Sequence, residues 1–336
     1  MGIKILKDDI KNNNFKNLYV FYGEEEYLKK FYINKIEETI LEDNFKSLNK
    51  VVLDGKIEDD KIVEACETMP FFSQRKLVVV KNSGKFSSKS GAKSKKSEDE
   101  DFSKYLENVP PYTCLIFYED AIDKRLKLVK NIKNNGLLVE FQYLKQPDLV
   151  KWVIKTFKSY KKTIDINVAS YLVSISEPGM TEILNEIKKL VSFLGEKENV
   201  EISDIDKVCT KSIKSRIFDL VDAVAEKRIS VALKLLNDMI ILKEPLPKIL
   251  FMIARQLRLI LQMKVLCNEG LGKNEACAKL KMTPYVGNKV YNQAKNFSTK
   301  KIKDAIKEAM ELDLAIKTGK INDRIAAEIL IYKLAE

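Results

Sequence analysis

Five apolar runs in the first 145 residues, Leu18–Tyr22, Val51–Asp54, Leu77–Val80, Cys114–Tyr118 and Leu137–Phe141, are continuous rather than alternating. Continuous runs are what strands buried on both faces require, because side chains pointing either way then meet an apolar layer. Amphipathic helical patterns separate them. In Glu24–Leu41, for example, Leu28, Tyr32, Ile36 and Ile40 recur four apart on one helical face. Strands of this kind alternating with helices predict a parallel α/β sheet.

From Pro147 the strand pattern stops and helical patterns continue to the end. Pro147 opens a helix carrying Leu149, Val150, Val153, Ile154 and Phe157, and a second covers Gly179–Phe193 before Gly195. Further helices are predicted over Ile217–Arg228, Val231–Leu242, Leu246–Asn268, Val286–Asn296, Lys301–Lys317 and Asp323–Leu334, punctuated by proline and glycine. The expected fold class is α/β plus all-α. Residues 1–145 form the parallel-sheet module, residues 146–209 a small helical domain and residues 210–336 a larger helical bundle, a division suited to 336 residues. The segment Ser83–Asp101, lysine- and serine-rich and then acidic, cannot bury apolar surface and is expected to be a surface loop.

The sequence contains no histidine, which excludes imidazole bases, His-dependent nucleophile systems and His metal sites together. Its five cysteines (Cys66, Cys114, Cys209, Cys267, Cys277) are scattered and read as reduced, packed thiols. No apolar run reaches the roughly 18 residues of a membrane span, and no signal peptide opens the chain, so no membrane partner and a cytoplasmic location are expected. The net charge of +11 is uneven: residues 1–209 carry 35 Lys and Arg against 34 Asp and Glu, whereas residues 210–336 carry 24 against 14. A basic field of this kind attracts polyanions, nucleic acid first. Lys300, Lys301, Lys303, Lys317, Lys320 and Arg324 are the candidate DNA contacts, although solvated helix faces account for them equally well.

The strand Leu18–Tyr22, Gly23 and the following helix have the layout of a phosphate-binding P-loop. In the GxxxxGK[ST] register that begins at Gly23, however, Leu28 stands at the second glycine, Lys29 at the lysine and Lys30 at the hydroxyl residue. Leu28 blocks close backbone approach, and Lys30 offers magnesium no hydroxyl. Glu24, Glu25 and Glu26 suit a helix N-terminus but repel a triphosphate. No bound cofactor is expected, and an active ATPase tolerating so unusual a turn is the weaker enzyme-class alternative. Glu119 and Asp120, after the strand ending at Tyr118, superficially resemble a Walker B pair and read as surface helix-capping acids.

Met69 and Pro70 end a helix over Asp59–Met69, and two adjacent aromatics, Phe71 and Phe72, follow before Ser73-Gln74-Arg75-Lys76. Adjacent side chains cannot both face one core layer, so at least one points outward, as a plug for a partner's apolar pocket. A hydrophobic cluster closing the helix onto the sheet is the other possibility.

The stretch Tyr19-Val20-Phe21-Tyr22-Gly23-Glu24-Glu25, the segment from Met69 through Phe71, Phe72 and Arg75 to Val80, and the closing Lys317-Thr318-Gly319-Lys320 together resemble the delta subunit family of the bacterial DNA polymerase III clamp loader. The resemblance spans the whole chain. It implies an AAA+-like module with a degenerate P-loop, a helical lid and a C-terminal collar that joins a five-membered ring. The implied role is a subunit with no catalytic site of its own, within the DNA polymerase III holoenzyme and its DNA-directed DNA polymerase activity, that binds and opens the sliding clamp. Implied partners are the sliding clamp (beta), the tau/gamma and delta prime subunits, and primer-template DNA. Met69, Pro70, Phe71 and Phe72 match the family's clamp-binding element. A basic nucleic-acid-binding scaffold without a clamp partner is the alternative outside the family.

Overall fold

In the computed structural model the five continuous runs lie side by side in one parallel sheet, ordered β2-β3-β4-β1-β5. The structure describes residues 2–87, 96–282 and 284–335. The chain divides into two compact units, residues 1–144 with Gly179–Thr181, and residues 145–178 with 182–336.

The first unit contains α1 (Gly2–Lys11), β1 (Leu18–Tyr22), α2 (Glu26–Ile40), the single turn α3 (Lys46–Asn49), β2 (Lys50–Asp54), α4 (Asp59–Glu67), β3 (Lys76–Lys81), α5 (Lys96–Tyr105), β4 (Thr113–Glu119), α6 (Lys127–Asn135) and β5 (Leu137–Glu140). Alternation along β1 sends Tyr19 and Phe21 into a layer with Leu6 of α1 and Tyr32, Ile33 and Ile36 of α2. Leu18 and Val20 enter the opposite layer with Ile62 and Cys66 of α4, Phe102 of α5 and Ile132 of α6. Helices on both faces explain why β1, β3 and β4 are continuous apolar runs. The edge strand β2 departs from that expectation, since Val52 is exposed. With only β3 beside it, β2 lacks full cover.

The expected surface loop over Ser83–Asp101 is corrected at both ends. Ser83 and Phe86 are buried, with the Phe86 ring 5.1 Å from that of Phe117, and Lys96–Asp101 already belongs to α5. One aromatic residue, Phe86, anchors the start of a stretch whose composition is largely polar. Residues 88–95 of the expected loop lie outside the described residues.

Among the described residues the second unit is helical except for one short parallel pair, β6 (Thr163–Ile164) with β7 (Asn199–Val200), too brief to leave a periodic signal. Its helices are α7 (Gln146–Ser159), α8 (Ile166–Ile175), α9 (Met180–Leu194), α10 (Ile202–Val208), α11 (Ile213–Ala225), α12 (Ile229–Ile241), α13 (Leu246–Asn268), α14 (Lys273–Lys279), α15 (Pro284–Asn296), α16 (Thr299–Lys317) and α17 (Asp323–Ala335). The first turn of α9, as far as Thr181, belongs to the first unit. Helices α11 to α17 enclose one apolar core, crossed by a polar chain in which Gln256 donates to Gln293 (2.6 Å) and Gln293 donates to Asp222 (2.6 Å). Burial pushes the Asp222 carboxyl up. A fully satisfied chain of this kind fixes the mutual register of the helices that share it.

All five cysteines are free thiols, and burial pushes Cys66, Cys114 and Cys209 up to about 12, away from thiolate chemistry. Among the described residues no helix is long and apolar enough to cross a membrane.

Candidate functional site

The turn after β1 lies at the C-terminal edge of the sheet, where open α/β folds ordinarily bind ligands. Gly23 is required there by its neighbour. Its φ is +119°, and a Cβ would stand 2.2 Å from the Phe141 carbonyl oxygen. Backbone bonds hold the turn on both sides, as Gly23 donates to the Asp120 carbonyl (3.1 Å) and Glu25 donates to that of Phe141 (3.0 Å).

Lys29, which takes the P-loop lysine's place in the sequence register, is fully buried. Its ammonium meets Glu26 at 2.8 Å, the Glu119 carbonyl at 3.1 Å and Asp120 at 3.4 Å, and lies 4.3 Å from the centre of the Tyr118 ring. Tyr118 donates its hydroxyl to the same Glu26. Burial alone raises the Glu26 carboxyl, but bonds from Lys29 and Tyr118 outweigh it and the net shift is downward. Lys29 is therefore committed to internal partners. Lys30 is exposed, 3.6 Å from Glu26, and Leu28 is half-buried against the α2 layer.

Glu25 is buried as well. Its carboxylate accepts from the backbone N–H of Met180 (3.1 and 3.2 Å) and of Tyr27 (3.3 Å), and burial raises its affinity for a proton. Glu119 and Asp120 are not the pair of surface helix caps expected from sequence. Glu119 is buried in β4 and accepts from the N–H and hydroxyl of Ser83 (2.9 and 2.5 Å), while α6 begins only at Lys127. Asp120, though exposed, is a partner of Lys29. Carboxylates and an ammonium thus satisfy one another where a P-loop presents free backbone N–H groups.

The loop before β3 lies at the opposite, N-terminal edge. Thr68 caps α4 through its backbone N–H to the Glu64 carbonyl, and the chain then turns sharply, with Phe72 at a φ of +45°. That left-handed backbone costs a bulky residue about 1–2 kcal/mol. Met69, Phe71 and Phe72 are 75%, 50% and 74% exposed. Both aromatics therefore face outward, one more than adjacency alone requires. Their rings meet edge to face with centres 4.6 Å apart. Beneath them the loop is tied to the sheet: Lys76 donates to the Thr68 carbonyl (2.9 Å), and Arg75 donates to the Phe15 carbonyl (3.1 Å) and the Asn17 side chain (2.7 Å).

Two participants escaped the sequence reading. Phe45 packs its ring 5.8 Å from that of Phe72 and 6.1 Å from that of Phe71. Asn49, buried at the end of α3, accepts from the Phe71 N–H at 2.6 Å and donates to the Phe71 carbonyl at 2.8 Å. A lone aromatic and an asparagine 22 residues upstream of Phe71 carry no local pattern to identify them.

The six candidate DNA cations are not brought into one patch. Lys300, Lys301 and Lys303 occupy the start of α16, with Lys317 at its end, Lys320 just beyond it and Arg324 in the first turn of α17. At 1.5 Å per residue the two ends of α16 are about 25 Å apart. Lys317 is paired with Asp313 (2.5 Å) and Arg324 with Glu328 (3.0 Å), and Lys300 and Lys301 share a cavity rim with Asp304 and Glu308.

Comparison with known proteins is consistent across sequence and structure. The family described as DNA polymerase III, delta subunit, matches residues 19–142, and the family describing the C-terminal domain of the same delta subunit matches residues 214–334. DNA polymerase III subunit delta of Bacillus subtilis is 28% identical over 333 residues, covering 97% of this chain and 94% of that protein. A probable DNA polymerase III subunit delta of Aquifex aeolicus is 27% identical over 232 residues, covering 67% and 64%. The solved structure of a Bacillus subtilis DNA clamp loader delta protein superposes with a TM-score of 0.56 at 26% identity, covering 99% of both chains.

Proposed function

Since the chain belongs to the DNA polymerase III delta subunit family, with a role in clamp loading, we propose that it binds the sliding clamp through Met69, Pro70, Phe71 and Phe72 and opens it without hydrolysing nucleotide itself. The observation that carries this reading is the exposed aromatic pair on a loop tied down from beneath. Desolvated aromatic anchors of this kind dominate protein interfaces.

Opening follows from differential binding. A ligand shifts a conformational equilibrium only as far as it prefers one state, so the pair must fit the clamp better when one clamp interface is sprung. The internal pairing of Lys29 and the buried carboxylate of Glu25 support the absence of a working nucleotide cradle. Hydrolysis is then left to neighbouring tau/gamma subunits. Residues 1–145 act as the AAA+-like module, residues 146–209 as the lid, and residues 210–336 as the collar that joins tau/gamma and delta prime subunits. The basic excess of the collar supports a contact with primer-template DNA, and a salt-independent binding isotherm rejects that part.

The direct test is surface plasmon resonance on immobilised clamp. The Phe71→Ala, Phe72→Ala double variant is expected to bind about 100-fold or more weakly. Unchanged affinity removes the assignment.

A further inference from the structure

We infer that Asn49 is the positioning residue of the docking loop and that Phe45 is its third ring, an inference that rests on the clamp-binding reading of Phe71 and Phe72. The two exposed rings do not define their own geometry. Thr68, held by Lys76, and Arg75, held on Phe15 and Asn17, anchor the two ends of the loop. Between them Asn49 supplies the side-chain bonds to Phe71, pairing with its N–H and its carbonyl as an adjacent strand would. The same side-chain amide donates to the Phe45 carbonyl at 3.2 Å, so one buried residue holds both segments that carry the rings.

Phe45 belongs to neither apolar layer of the sheet. Half-buried, it lies nearly parallel to the Phe72 ring, with 28° between the planes, and edge-on to Phe71. It therefore backs the docking rings rather than filling a core. The left-handed backbone at Phe72 shows the same logic, because an unfavourable conformation persists only where its surroundings over-determine it. Holding the rings in place before the partner arrives removes part of the ordering cost of binding. These contacts should govern how much of the binding energy of Phe71 and Phe72 appears as affinity.

The experiment measures association and dissociation rates on immobilised clamp for the full chain and for Asn49→Ala, Asn49→Asp, Phe45→Leu and the Phe71→Ala, Phe72→Ala double variant. Amide exchange is followed in parallel over Met69–Arg75 and over β1, β3 and β4. Asn49→Ala should bind about tenfold more weakly, the value of one ordered side chain, and Phe45→Leu several-fold more weakly. Asn49→Asp keeps the acceptor for the Phe71 N–H but turns a buried carboxylate oxygen toward the Phe71 and Phe45 carbonyls, and should bind no better than Asn49→Ala. Exchange at Phe71 should accelerate in Asn49→Ala, which removes the acceptor of its N–H, while the central strands stay protected, which a general loss of stability would not produce. If the aromatic double variant binds like the parent, the clamp reading itself fails. If it loses binding while Asn49→Ala, Asn49→Asp and Phe45→Leu all bind like the parent, or exchange at Phe71 is unaltered, the positioning role alone is overturned.

Discussion

The two edges of the parallel sheet have opposite chemistry. At the C-terminal edge Gly23, Glu25, Lys29 and Glu119 are packed against backbone and against each other, and the charged groups point inward to internal partners. At the N-terminal edge the polar groups of Asn49, Arg75 and Lys76 hold the loop from beneath, while Met69, Phe71 and Phe72 face solvent. Buried polar groups that satisfy one another contribute to the fold and have no capacity left for a ligand. Exposed rings contribute little to the fold, and each Å² of them removed from water by a partner yields about 25 cal/mol. Substitutions at the first edge should therefore move stability, and substitutions at the second should move binding.

Gly23→Ala tests that division most severely. A Cβ 2.2 Å from the Phe141 carbonyl, on a backbone with φ of +119°, should cost about 3 kcal/mol in urea unfolding. The fraction that remains folded should bind clamp like the parent, and a lost affinity breaks the division. Lys29→Ala comes next, at about 2 kcal/mol. That is less than a fully buried pair would lose, because Asp120 and Glu26 reach solvent. Lys29→Met, which refills the volume without the charge, should recover most of that loss if the lysine serves packing and pairing alone.

Phe72→Gly sharpens the contrast from the other edge. Relief of the left-handed backbone, offset by the entropy of glycine, should stabilise the chain by roughly 0.5 kcal/mol while clamp affinity falls. A variant that gains stability and loses binding separates the two functions within one residue. The smallest effect is the pH dependence carried by Glu25. Burial raises its carboxyl in the folded state, so its favourable contribution is complete below the unfolded value of 4.5 and is lost as pH rises through the folded value. Urea unfolding of the parent and of Glu25→Gln should show the parent gaining relative stability as pH falls from about 7 toward the carboxylate range. A flat difference rejects the buried charge as its cause.

Much of the first unit was legible because its strands announce themselves. Leu77–Val80 and Cys114–Tyr118 are covered on both faces, and a sheet between two helical layers leaves that signature without reference to distant residues. Phe71 and Phe72 stood out for a local reason also, as paired aromatics after a helix-stopping proline. The surface loop expected at Ser83 was misread because average polarity hid Phe86, whose burial beside Phe117 depends on a residue 31 positions away. The Glu119-Asp120 pair was misread as caps because nothing near it in sequence names Ser83 or Lys29 as partners.

The amino-acid sequence by itself determined the five strands of the sheet and the helical run that follows them, the absence of the second glycine and hydroxyl of a phosphate cradle, and the position of the aromatic pair. Each depends on spacing over a few residues, which backbone periodicity and steric rules decide locally. Only the tertiary structure decided that Lys29 turns inward to Asp120, 91 residues on, and that Asn49 holds Phe71. It alone set the aromatic loop and the charged turn at opposite edges of one sheet. Those outcomes depend on which segments the parallel crossovers bring side by side, and hydrogen bonds between such segments have no period in the chain.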